Sequence, residues 1–168
     1  MRLSAVLLGL VVLPALAADP APEIRRDAVQ PQAVGAAHTL RAIPEACARL
    51  EGMFTGDAAQ PYKFSVVRTS PNCQPRARLV DAAKAKPTAA GGWKFNDLIR
   101  VPSAACATQQ AVVRVWRHPA AATPPALDGQ GRARVYLQDS MEKTRAGDLS
   151  AVPAFAVAMG LEGKACGG

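Results

Sequence analysis

Few side chains in this sequence could do chemistry, and their spacing decides what kind. Cys47, Cys73, Cys106 and Cys166 stand far apart, with no CxxC pair among them. Zinc sites draw on closely spaced cysteines and histidines. His38 and His118, the two histidines, do not lie at ligand spacing from any cysteine. An even number of isolated cysteines in an exported chain reads as two disulfides, so neither a metal nor a cofactor is expected. No GxSxG, HExxH, Walker or GxGxxG pattern occurs, which leaves no catalytic residue to name. His118 follows Trp116 and Arg117 and precedes Pro119, at a strand end. A single histidine there reads as a surface or packing residue, not a general base. Asp97 is the odd carboxylate. Strict alternation from Trp93 and Phe95 would aim it inward, where burial favours the neutral acid. A bulge or turn at Asn96 and Asp97 that points it to solvent is the expectation.

Arginines and aromatics form the one pattern that suggests a ligand. On the segment 111–118, Arg114, Trp116 and His118 fall opposite Val113 and Val115. On 132–138, Arg132, Arg134, Tyr136 and Gln138 fall opposite Val135 and Leu137, and Arg76 and Arg78 repeat the motif earlier. If the two later strands pair, one face interleaves guanidinium groups with aromatic rings. Rings stack on sugars or bases, and guanidinium groups hold phosphate or carboxylate. The partners such a face would suit are an anionic glycan, lipopolysaccharide, nucleic acid or an envelope protein. A plain solvated sheet face, with arginine stems lying over apolar surface, is the competing reading.

The elements that must position these residues follow from hydropathy and punctuation. Residues 1–17 read as a secretory signal: Met1-Arg2, an apolar run from Leu3 to Leu13, Pro14, then Ala15-Leu16-Ala17 before the cut. The apolar run is too short to span a bilayer, and no later segment is long and apolar enough. Export to the periplasm or beyond is expected. Residues 18–37 carry prolines and no apolar period, and read as a flexible leader. Residues 38–168 then form one β-rich, disulfide-containing domain. The formal charge of +7 raises encounter rates with polyanions without choosing among them.

Alternating apolar residues mark strands at 48–55, 62–66, 76–81, 93–101, 111–116, 133–138 and 155–161. A short helix capped by Ser140 is expected at 141–146. Short strands with Pro/Gly loops make the fold mainly β: a small antiparallel sandwich or partly open barrel with one short helix. In an up-and-down meander, the loops at 69–75 and 102–109 lie side by side. That places Cys73 against Cys106 and leaves Cys47 for Cys166, with Cys47–Cys73 and Cys106–Cys166 as the next pairing. Three functions fit these features. A non-catalytic module binding a macromolecule, an anionic one in particular, is preferred. The others are a periplasmic hydrolase inhibitor, presenting the loop at 69–75 or 119–131, and a small envelope enzyme using Asp97 or His118.

Overall fold

The computed structural model describes residues 21–118 and 153–166. Its strands are β1 (His38–Ile43), β2 (Ala48–Phe54), β3 (Tyr62–Arg68), β4 (Arg78–Asp81), β5 (Lys94–Pro102), β6 (Gln109–His118) and β7 (Ala154–Gly163). They form a three-stranded sheet, β1-β2-β3, and a four-stranded sheet, β4-β7-β6-β5. The fold is mainly β, in two sheets without barrel closure. All pairings are antiparallel except β4 with β7, which run parallel. The segment 155–161 is therefore strand, as its alternation suggests. The strand expected at 133–138 and the helix at 141–146 lie outside the described residues. A single helical turn, α1 (Ala82–Ala85), follows β4. Asp81 caps it by accepting a hydrogen bond from the Ala83 amide.

Period-two burial explains why the sheets pack. In β2, Ala48, Leu50, Gly52 and Phe54 are buried, whereas Arg49, Glu51 and Met53 are half-buried. Leu40, Ile43, Leu50 and Phe54 of the first sheet meet Ile99, Val101, Val113, Val115, Phe155 and Val157 of the second in one core. Each such side chain contributes about 1.5–3 kcal/mol by leaving water.

Each disulfide closes within its own sheet. The bonds are Cys47–Cys73 and Cys106–Cys166. This corrects the pairing of Cys47 with Cys166 and of Cys73 with Cys106, because the meander assumed for it does not exist. The chain leaves the first sheet after β3 and enters the second at β4, so the loops at 69–75 and 102–109 serve different sheets. The β2–β3 ladder brings the residues after Arg68 back beside Cys47, and Thr69 donates to the Cys47 carbonyl. Likewise Gln109 faces Gly163, which delivers Cys166 to the β5–β6 turn. Gly163 has φ +90°, and a Cβ there would meet the Thr108 carbonyl oxygen at 1.8 Å, so only glycine fits this close approach.

The segment expected to be a free leader lies against the domain over the part described. Glu23 and Ile24 donate backbone hydrogen bonds to Phe95 and Asn96, Gln32 donates to Pro102, and Gly35 donates to Phe54. Residues 23–35 thus form a strap along the edge of β5 and onto the end of β2. It covers an edge that would otherwise present unpaired backbone groups.

Candidate functional site

The expected arginine and aromatic face is partly assembled by β6. Val113 and Val115 point into the core, and Arg114, Trp116 and His118 lie on the opposite face, each half-buried. Arg78, Ala154 and His118 share one row across β4, β7 and β6. Neighbours occupy these groups. Arg114 pairs with Glu162 at 2.7 Å, the Trp116 ring packs 5.5 Å from Phe95, and His118 packs 5.1 Å from Trp93. Val112 and Ala156, on the same face, are fully buried. Arg76 precedes β4, and its amide donates to the Glu45 carbonyl. Arg132, Arg134 and Tyr136 lie outside the described residues.

Asp97 departs from expectation in direction. The bulge exists, since the β5–β6 register slips between Phe95 and Asp97. The extra residue is Asn96, however, which leaves Asp97 opposite Val115 on the inner face, completely buried. Its carboxylate accepts a bidentate fork from Arg26 at 2.9 and 2.7 Å. Arg41 of β1 adds a charge contact at 3.2 Å that lacks hydrogen-bond alignment. Burial lowers the Arg41 pKa, and the Asp97 charge opposes that shift. The Arg41 guanidinium also sits 5.9 Å from the centre of the Phe155 ring. One carboxylate thereby joins the strap, the first sheet and the second. Glu23 fastens the strap a second time. It accepts from Arg117 at 2.6 and 2.8 Å and from the Asn96 amide at 2.9 Å. The Arg117 bond leads the causes that hold its pKa down at about 2, against partial burial.

His38 also has a structural setting. Its Nε2 lies 2.8 Å from the Tyr62 hydroxyl and its Nδ1 lies 3.2 Å from the Ala36 carbonyl oxygen. A carbonyl can only accept, so Nδ1 carries the proton and Nε2 accepts from the tyrosine. The pair meets over Gly52, where a Cβ would fall 1.6 Å from the Tyr62 hydroxyl oxygen. Burial pushes the Tyr62 phenol up to about 12.

The open side of the sandwich holds the feature that alternation alone did not reveal. A cleft of about 680 Å³ runs between β3 and the β4–β7 edge, within the ~300–1,000 Å³ range of ligand sites. Tyr62, Phe64 and Val66 form one wall; Leu79, Val157 and Met159 form much of the other. Val66 is 48% exposed, unusual for a residue on the inner face of a strand. No cation among the described residues lines the cleft, and Asp81 is part of its lining. Cations sit on the elements that border it, with Lys63 and Arg78 on the outer faces of their strands. Lys63 on β3, Arg78 on β4, and Lys84 and Lys86 in and just after α1 are exposed. None of the four pairs with a carboxylate among the described residues. Several acids are committed internally: Glu23, Glu51, Asp97 and Glu162 to cations, Asp57 to a backbone amide, and Asp81, within the cleft's lining, to the Ala83 amide. No family model matches the chain, and neither the curated proteins nor the solved structures give a match.

Proposed function

We propose that this chain is an exported, non-catalytic binding module that holds an acidic macromolecular partner along the open side of its sandwich. The observation that carries the reading is an apolar cleft bordered by β3, β4 and α1, the elements whose exposed residues include Lys63, Arg78, Lys84 and, just after α1, Lys86. An apolar wall supplies affinity by shedding water, and the surrounding charges choose the sign of the partner and speed its arrival. Two disulfides suit an oxidising compartment such as the periplasm or the exterior. No helix among the described residues is long and apolar enough to cross a membrane.

Chromatography on heparin tests the charge reading. A triple variant, Lys63→Ala, Lys84→Ala and Lys86→Ala, should elute at clearly lower salt than the parent. A control triple, Arg25→Ala, Arg100→Ala and Lys164→Ala, removes the same formal charge from exposed residues that lie on none of β3, β4 and α1, the elements bordering the cleft; its elution should move much less. Equal shifts would reduce the effect to net charge and overturn the proposal, as would a parent protein that heparin does not retain.

A further inference from the structure

We infer that the acidic partner is a polypeptide that adds to β3 as an extended strand, with alternate side chains entering the cleft. This rests on the open side being the binding surface. The ladder between β2 and β3 carries the inference. Antiparallel pairs alternate between hydrogen-bonded and non-hydrogen-bonded residues. Thr69 donates to Cys47 at 3.0 Å, and Thr55 donates to Pro61 at 3.1 Å. These bonds, in register with the ladder, set its phase. Lys63, Ser65 and Val67 turn their backbone groups toward β2, and Tyr62, Phe64 and Val66 turn theirs outward. Those outward N–H and C=O groups have no backbone partner among the described residues.

The same three residues line the cleft with their side chains. Unpaired backbone groups therefore recur every second residue beside an apolar trough. A strand partner needs that combination: main-chain bonds for affinity, and pockets for alternate side chains for selectivity. A polysaccharide would use the cations and leave the apolar wall idle. A lipid tail would use the wall and leave the backbone edge idle. Exposed lysine also discourages indiscriminate pairing at an edge. Lys63 meets a second lysine on a basic strand and a carboxylate on an acidic one, so it selects as well as guards.

Fluorescence anisotropy with a short labelled peptide alternating glutamate and valine tests this. The protein should bind it saturably. It should bind about tenfold or more weakly a peptide of the same sequence whose alternate backbone nitrogens are methylated. That modification keeps charge and side chains while blocking edge bonds. Val66→Asp should weaken binding similarly, and because Val66 is 48% exposed the substitution leaves the core intact. A lysine–valine peptide should not bind. Comparable binding of the methylated peptide would overturn strand addition. Absence of peptide binding, with heparin retention still dependent on Lys63, Lys84 and Lys86, would overturn the polypeptide and leave the acidic partner standing. Loss of both would overturn both.

Discussion

Asp97 shows how one residue can look like chemistry in a sequence and act as architecture in the fold. A carboxylate aimed inward invites a catalytic reading, but this one is held by Arg26 and Arg41, which tie it to the strap and to β1. Removing one partner from a buried ionic group strands the others, at about 3–5 kcal/mol. Asp97→Asn should therefore lower stability by about that amount in urea unfolding, because Arg26 and Arg41 would keep their charges without a counterion. A loss under ~1 kcal/mol would mean that water already screens the cluster. The bulge was legible in Asn96 and Asp97. The direction of Asp97 was not, because it depends on which residue the ladder skips, and both arginines come from distant segments.

At the scale of elements, alternation located β2 to β7 because burial on one face imposes period two; it missed β1, whose irregularity between Thr39 and Arg41 leaves Leu40 and Ile43 buried three residues apart. It could not reveal which strands share a sheet, and that governed both disulfides and the cleft. The contacts of residues 23–35 were not legible for a related reason. The bonds of this segment run through the backbone to β5, so its side chains carry no apolar period, and only Glu23 and Arg26 mark its attachment. Its charge pairing makes a pH prediction. The Glu23 pKa is about 2 in the fold against an ordinary 4.5, and a depressed carboxylate pKa stabilises above the unfolded value and loses that contribution as pH falls through the folded one. The stability gap between the parent and Glu23→Gln should thus be constant above about pH 5 and shrink steadily toward pH 2. A gap independent of pH would remove Glu23 from the latch. In the chain-entropy model, the disulfides closing spans of 26 and 60 residues stabilise by about 3.5 and about 4.3 kcal/mol.

For the whole molecule, the charge of +7 was plain from composition; where it acts was not. Sequence reasoning placed the binding surface on the outer face of β6, where Arg114, Trp116 and His118 are engaged by neighbours. Lys63, Arg78, Lys84 and, just after α1, Lys86 sit on the elements bordering the cleft between the two sheets, which the crossover from β3 to β4 separates in the chain. Tyr62, Phe64 and Val66 were legible as a strand, but nothing local marks their outward backbone groups as free. Amide hydrogen exchange, with and without the acidic alternating peptide, reads those groups directly. The predicted result is slowed exchange at Tyr62, Phe64 and Val66, with little change at Lys63, Ser65 and Val67, which already bond to β2. Protection centred on Arg114, Trp116 and His118, with none along β3, would contradict the account.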